Sequence, residues 1–238
     1  MTTPSAGLLV DAFDRVAEVV EATVTGLDRA SLTWRPDPDA NPIAWLVWHL
    51  TRVQDDHVAD VAGAPQVWIE EGFVGRFGLA LEPGDTGYGH TPAEVAAVTA
   101  DADGLLAYHR AVHAATVRFV DGIVDEDLAR IVDERWDPPV TLGVRLVSVI
   151  ADDLQHAGQA AYLRGLLERQ SGVFSSGRAG SPRAPADLGH GHTEGAGGVG
   201  RGGPGRRVQK EAAGGVDRSE PHQPRVSDSE GRCSEPVG

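Results

Sequence analysis

An aspartate and a histidine stand one helical turn apart in ADDLQHAGQAAYLRG, residues 151–165. Four residues advance the azimuth of an α-helix by about 40°, so Asp152 and His156 project from nearly the same stripe. In a helical bundle such a pair can supply two ligands to one divalent cation. On an exposed face the same spacing gives only a weak ion pair, worth about a few tenths of a kcal/mol. The neighbouring Asp153 is expected to face solvent or to contact arginine side chains.

A third ligand can come from NPIAWLVWHLTRVQDDH, residues 41–57, in which His49 lies beside an apolar stripe. Two nitrogens and one oxygen leave coordination positions open, which is typical of a reactive rather than a structural zinc or related site. Asp56 is about 20° from His49 in azimuth and His57 about 80°, so Asp56 is the better placed to hydrogen-bond His49.

The residues alone leave alternatives open. A single histidine at the edge of an apolar stripe is more often a hydrogen-bonded core residue than a ligand. YHRAVH, residues 108–113, also places His109 and His113 one turn apart on a helical pattern. Periodicity does not rank that pair below Asp152 and His156.

The composition divides the 238 residues near residue 170. Residues 1–170 hold nearly all the large apolar side chains and are expected to form one globular domain. Residues 171–238 hold 16 of the 30 glycines and six prolines without apolar periodicity, which predicts a disordered tail. A shifted reading frame of a high-GC gene also produces such a Gly- and Arg-rich composition, so the origin of the tail stays open.

Charge is concentrated in the predicted domain, which carries 12 basic and 27 acidic residues. So acidic a surface repels phosphate backbones and anionic lipids, and neither nucleic acid nor a membrane is expected as the main partner. The single cysteine, Cys233, lies in the tail, so the domain offers no thiol nucleophile. The N-terminus lacks a basic signal region, and no apolar run is long enough to cross a bilayer. We therefore expect a cytoplasmic location.

Apolar periodicity predicts four long helices and no strand, and hence an all-α four-helix bundle. Asn41 is a candidate N-cap before Pro42, Thr91 and Glu94 match a capping box, and Thr141 is a candidate cap for the last helix. Residues 63–90 are predicted to form an irregular excursion with one short helical turn, and such long excursions are often functional. The predicted helices cover residues 8–24, 42–62, 91–124 with a break near 101–104, and 141–169.

The segments NPIAWLVWHLTRVQDDH and RLVSVIADDLQHAGQAAYLRGLL resemble the two signature helices of the DinB-like metalloenzyme superfamily. The closer resemblance is to its actinobacterial branch, which is related to mycothiol-dependent maleylpyruvate isomerases, and it covers roughly residues 6–169. It implies that three inward side chains hold a divalent metal, often zinc or nickel.

Carried over residue by residue, the implied ligands are His49, Asp152 and His156. Asp152 departs from the family pattern, in which a Glu or His stands at that position, and its shorter reach brings metal affinity and identity into question. Asp56, His57 and Gln159 are expected around the ligands or along the pocket, with Gln159 bonding a ligand or a metal-bound water.

The resemblance also implies thiol chemistry. An open divalent site lowers the pKa of a bound thiol, and the thiolate is the nucleophile. The leading hypothesis is a metal-dependent S-transferase or isomerase acting on a small electrophile, with mycothiol or a similar low-molecular-weight thiol as cosubstrate. The alternative is a non-catalytic metal-binding or small-ligand-binding stress protein. Hydrolysis by a metal-bound water is a third hypothesis, with Asp56 as its one evident base. A homodimer is possible for such a bundle.

Overall fold

The computed structural model describes residues 3–170 of the chain. This part contains eight α-helices, one 3₁₀ helix (Asp125–Ala129) and one two-stranded hairpin. The helices are α1 (Pro4–Val24), α2 (Arg29–Thr33), α3 (Ile43–Ala62), α4 (Val67–Glu70), α5 (Phe73–Phe77), α6 (Pro92–Ala97), α7 (Ala102–Asp121) and α8 (Leu142–Gln170), and the strands are β1 (Ile131–Asp133) and β2 (Val140–Thr141).

The four long helices pack as a ring. α3 lies against α7 and α8, and α1 lies against the same two helices from the other side. This arrangement confirms the predicted all-α four-helix bundle. The predicted tail, residues 171–238, falls outside the described residues. Within residues 3–170, no helix combines the length and apolar character that a bilayer crossing requires.

The helix ends follow the predicted capping residues at two of three places. Thr91 and Glu94 form the capping box, with the Thr91 backbone N–H donating to Glu94 Oε2 at 2.7 Å. Thr141 Oγ1 accepts a hydrogen bond from the Val144 backbone N–H at 3.3 Å, as its predicted capping role requires. The third prediction is wrong by one residue: α3 begins at Ile43 with Pro42 as its N-cap, so Asn41 does not cap it.

Residues 63–90 are irregular, as predicted, but contain two short helices, α4 and α5. The start of this excursion is fixed to the bundle by Asp55 of α3, which is 3% exposed. Its carboxylate accepts hydrogen bonds from the backbone N–H groups of Val67 at 2.9 Å and Trp68 at 2.8 Å. The excursion is therefore held on α3 by a buried charge that satisfies the open N–H groups of α4.

The hairpin that precedes α8 was not predicted. β1 and β2 are three and two residues long and pair antiparallel, with Ile131 opposite Thr141. Strands this short contain too few positions for an alternating pattern to emerge from the sequence. The hairpin carries Asp133, whose carboxylate accepts a hydrogen bond from Arg145 of α8 at 3.1 Å.

Asp153 is fully buried, so the expectation that it faces solvent or contacts arginine is wrong. It occupies the buried stripe of α8 between Val149 and Ala157, and neither carboxylate oxygen has a hydrogen-bond partner in the described chain. Burial, together with the adjacent charge of Asp152, raises the pKa of Asp153 well above its usual value.

Asp153→Asn is expected to stabilise the protein at pH 8. Because its pKa is raised on folding, the folded chain keeps a proton that the unfolded chain has lost, so wild-type stability falls as pH rises above the unfolded pKa of about 3.9. The amide cannot ionise and so avoids this loss, and we expect the free energy of unfolding at pH 8 to increase, measured by urea denaturation. Asp39→Asn in an exposed loop is the control. A loss of stability in Asp153→Asn would show that the buried carboxyl does not destabilise the fold.

Candidate metal centre

Packing of α3 against α8 brings His49 together with Asp152 and His156. Each residue offers one ligand atom, and these three atoms all lie within 4.8 Å of one another. Within residues 3–170 no other group of three His, Cys, Asp or Glu side chains meets this condition. His49 is buried, and the other two are half-buried, so the group lies at the edge of the bundle interior.

Asp152 and His156 are oriented by each other and by Gln159. Nδ1 of His156 lies 3.1 Å from Oε1 of Gln159, an acceptor, so Nδ1 carries the proton and donates it. Nε2 then faces Oδ1 of Asp152 at 3.5 Å. The second oxygen of Asp152, Oδ2, is buried without a hydrogen-bond partner in the described chain. Gln159 thus bonds His156, a predicted ligand, which is one of the two roles expected for it.

His49 is oriented by a backbone carbonyl that the sequence did not indicate. Its Nδ1 donates to the carbonyl oxygen of Thr86 at 2.5 Å, which leaves Nε2 with the free lone pair. The indole of Trp45 stacks on its ring at 4.5 Å between centroids and 15° between planes. The ring of His156 stands edge-on at 4.8 Å. The position of the imidazole is therefore set on three sides.

Asp56 is not the hydrogen-bond partner of His49 Nδ1 that the sequence had suggested, since the Thr86 carbonyl takes that role. Its carboxylate instead accepts a hydrogen bond from Nε2 of Gln66 at 2.6 Å. The Nδ1 atom of His57 accepts a hydrogen bond from Arg145 at 3.2 Å. Burial and the charge of Arg145 lower the pKa of His57, while the charges of Asp56, Asp60 and Asp152 oppose this shift. Asp56 and His57 thus bond to Gln66 and Arg145 rather than to the three clustered residues.

The protonation states suit a metal ion. Burial lowers the pKa of His49, and the Thr86 carbonyl only partly opposes it. Burial opposes ionisation of Asp152 and His156, but their side-chain hydrogen bond leaves the pKa of Asp152 lowered and that of His156 raised. At neutral pH His49 is thus uncharged and Asp152 ionised, which are the ligating forms, and protons compete with a metal more strongly at His156 than at His49.

The geometry of the donor atoms is close to what one ion requires. Ligands at about 2.1 Å from a shared ion lie about 3.4 Å apart in a tetrahedral site. The three atoms here lie within 4.8 Å of one another, and Nε2 of His156 lies 3.5 Å from Oδ1 of Asp152. The longer distances would contract by at most about 1.4 Å around an ion. The unpartnered Oδ2 of Asp152 is the kind of buried polar atom that an ion would satisfy. The residues present therefore fit a divalent cation.

The other histidine pair lies elsewhere in the bundle. Burial lowers the pKa of His109 to about 3, which keeps it neutral. Nε2 of His113 contacts Oδ1 of Asp14 of α1 at 3.0 Å. No third ligand joins this pair among the described residues, so the tertiary structure ranks it below the cluster around His49.

A cavity of about 320 Å³ lies between α3 and α7. Its walls are mostly apolar side chains such as Val58, Val112 and Phe119, Arg118 also lines it, and none of the three clustered residues does. The cavity lacks a group of potential metal ligands, whereas His49, Asp152 and His156 come together where α3 packs against α8. The cluster is therefore the candidate functional site.

A known protein family matches the part of the chain that contains α3 and α8. The model of the mycothiol-S-transferase family matches residues 8–169. The chain belongs to this DinB-like family. The match confirms the resemblance inferred from the two signature helices, and both segments that supply the cluster lie within it.

One solved structure extends the comparison to the fold. It is described as the conserved protein of a locus from Enterococcus faecalis and shares 34% sequence identity with this chain, with a TM-score of 0.65. The alignment covers 70% of this chain and 97% of that chain. No match was found among curated proteins.

Gly87→Ala is expected to disturb the site more than Gly89→Ala. Both glycines have positive φ, +95° and +70°, so alanine strains the backbone at either position by about 1 kcal/mol. At Gly87 the added Cβ would also lie 2.8 Å from Nδ1 of His49, whereas at Gly89 nothing lies within 4 Å.

We expect Gly87→Ala to lower the free energy of unfolding by about 1 kcal/mol more than Gly89→Ala does. It should also shift the NMR resonances of the His49 ring. Urea denaturation and histidine-labelled spectra of the two variants make the comparison. Equal stability and unchanged ring resonances would show that Gly87 does not pack against His49 as described.

Proposed function

We propose that this member of the mycothiol-S-transferase family is a divalent-metal-dependent thiol S-transferase or isomerase acting on a small electrophile. His49, Asp152 and His156 would hold the metal, Zn²⁺ or Ni²⁺, and mycothiol would be the cosubstrate. The observation that carries this proposal is the convergence of the three ligand atoms within 4.8 Å. Both imidazoles donate from Nδ1 to oxygen acceptors, which leaves Nε2 of each able to ligate.

The composition supports a thiol that is supplied by a cosubstrate. The single cysteine of the chain is Cys233, so residues 3–170 contain no thiol that could attack an electrophile. A reaction at sulfur therefore needs a thiol that enters with a cosubstrate, which agrees with the family. A divalent ion bound at the cluster would lower the pKa of that thiol and favour the thiolate. We place the reaction in the cytoplasm, where such thiols stay reduced.

In this reaction the protein itself would position the metal ligands and set their charge. His49 is held against Trp45 and Thr86, and His156 against Gln159. The set of two neutral imidazoles and one carboxylate leaves coordination positions open for cosubstrate. His57 takes a hydrogen bond from Arg145 at Nδ1 and so carries its own proton at Nε2, where it offers a donor to an entering substrate.

His156→Ala is expected to remove stoichiometric metal from the protein. Losing one of three ligands leaves a two-ligand site, which does not retain Zn²⁺ against a chelator. Wild-type protein should keep about one equivalent of Zn²⁺ after gel filtration, measured by elemental analysis, and His156→Ala should keep less than about a tenth. His113→Ala, which removes a half-buried histidine outside the cluster, is the matched control. Equal metal in His156→Ala and wild type would refute the ligand set.

Turnover separates the transferase from its non-catalytic alternative. We expect metal-loaded protein to conjugate mycothiol to a model electrophile such as a chlorodinitrobenzene, with the rate falling at least about 100-fold in His49→Ala, because the metal-activated thiolate is lost. His113→Ala should retain the wild-type rate. Stoichiometric metal without thiol conjugation to any of a panel of electrophiles would instead favour a metal-binding module.

A further inference from the structure

A three-residue segment, Asp85–Thr86–Gly87, lies directly on His49, and we refer to it as the clasp. Its central carbonyl, from Thr86, accepts the Nδ1 proton of His49. A Cβ on Gly87 would lie 2.8 Å from the same nitrogen and 3.1 Å from the indole of Trp48. The clasp backbone is therefore in close contact with the imidazole, and any displacement of the clasp changes the acceptor that His49 meets.

The carboxylate of Asp85 stabilises the conformation of the clasp through hydrogen bonds to both of its oxygens. Its Oδ1 accepts a hydrogen bond from the Gly87 backbone N–H at 2.8 Å. Its Oδ2 lies 3.0 Å from Nε2 of His90. Because Nδ1 of His90 accepts a hydrogen bond from Trp45 at 3.1 Å, the His90 proton is on Nε2 and is donated to Asp85. Both carboxylate oxygens thus receive a donor.

The backbone of Asp85 is tied to the bundle by a second contact. Its carbonyl accepts a hydrogen bond from Nε of Arg52 at 3.0 Å. Arg52 is fully buried, lies 3.5 Å from a carboxylate oxygen of Asp55, and donates to the hydroxyl of Tyr108 at 3.3 Å. Arg52, which lies one turn of α3 from His49, is therefore itself held in place by Asp55 and Tyr108.

We infer that Asp85 is a positioning residue for the metal centre, which holds the Thr86 carbonyl on His49 and so selects the tautomer with a free Nε2. An unrestrained neutral imidazole can carry its proton on either nitrogen, and the Nε2–H form cannot ligate through Nε2. The consequence for metal binding rests on the proposed function. The consequence for the tautomer does not.

Asp85→Asn tests this inference with little change in shape. An amide offers one oxygen and one NH₂ group, so the Gly87 N–H and the His90 Nε2–H can no longer both find an acceptor. Asp85 is partly exposed and lies outside the four long helices, so the bundle is expected to fold. Asp101→Asn is the matched control, since it makes the same chemical change at the N-cap of α7, where Asn caps equally well.

Two measurements are compared at pH 8. In metal-free protein, ¹⁵N–¹H correlation of the histidine rings should show His49 protonated at Nδ1 in wild type and Asp101→Asn, with a substantial Nε2–H population in Asp85→Asn. The Zn²⁺ affinity, from competition with a chromophoric chelator, should fall about 10-fold in Asp85→Asn and less than about twofold in the control. Urea denaturation of all three proteins establishes that each is folded.

The inference is overturned if His49 keeps its Nδ1 proton in Asp85→Asn, because the clasp would then not need the carboxylate. It is equally overturned if the tautomer changes and the Zn²⁺ affinity does not. Should wild-type protein bind no Zn²⁺, the proposed function fails, and the tautomer comparison in metal-free protein still decides whether Asp85 positions His49.

Discussion

The contact between α3 and α8 is the constraint on which the candidate centre depends. His49 comes from one helix, and Asp152 and His156 come from the other, about a hundred residues later in the chain. Apolar side chains of both helices, including Leu46 and Ala157, join the same core cluster. Burial of this surface is non-directional and strong, and it brings three polar side chains together that would not associate in water.

The helices alone do not orient the imidazoles. Each histidine needs an acceptor at Nδ1, and the two acceptors come from different sources: Gln159 lies on the same helix as His156, whereas Thr86 belongs to the excursion between α3 and α6. A local acceptor follows automatically when the helix forms. A remote one requires the excursion to be held in place, and the buried Asp55 and Arg52 hold it at its two ends.

These buried charges are costly to place inside a bundle. A buried ion pair is often neutral or unfavourable for stability compared with apolar residues of similar volume. Arg52 and Asp55 are nevertheless almost completely buried, with Tyr108 donating to the Asp55 carboxylate at 2.8 Å. Their contacts to the excursion backbone account for their position, because an apolar pair would leave the Asp85 carbonyl and the first N–H groups of α4 without partners. The Arg52–Asp55 pair thus fixes the conformation of the excursion at a cost to the stability of the bundle.

The acidic surface determines which charged ligands the domain attracts or repels. The domain carries 12 basic and 27 acidic residues, so its long-range field disfavours highly anionic ligands. Arg145, which contacts His57, is itself paired with Asp133 at 3.1 Å and so adds little positive charge to this field. The acidic field therefore favours a small, weakly charged compound over a highly anionic one as the thiol proposed above.

The sequence by itself determined the four long helices, the bundle, and the one-turn spacing of Asp152 and His156, because side-chain periodicity fixes azimuth within a helix. It also indicated His49 through the resemblance of the surrounding helix to a known family. Only the tertiary structure decided that His49 rather than His109 meets that pair. It likewise decided that Thr86 rather than Asp56 orients His49, and that Asp153 is buried. Periodicity describes one helix at a time, whereas these three outcomes depend on how the packed elements set distances between residues remote in the chain.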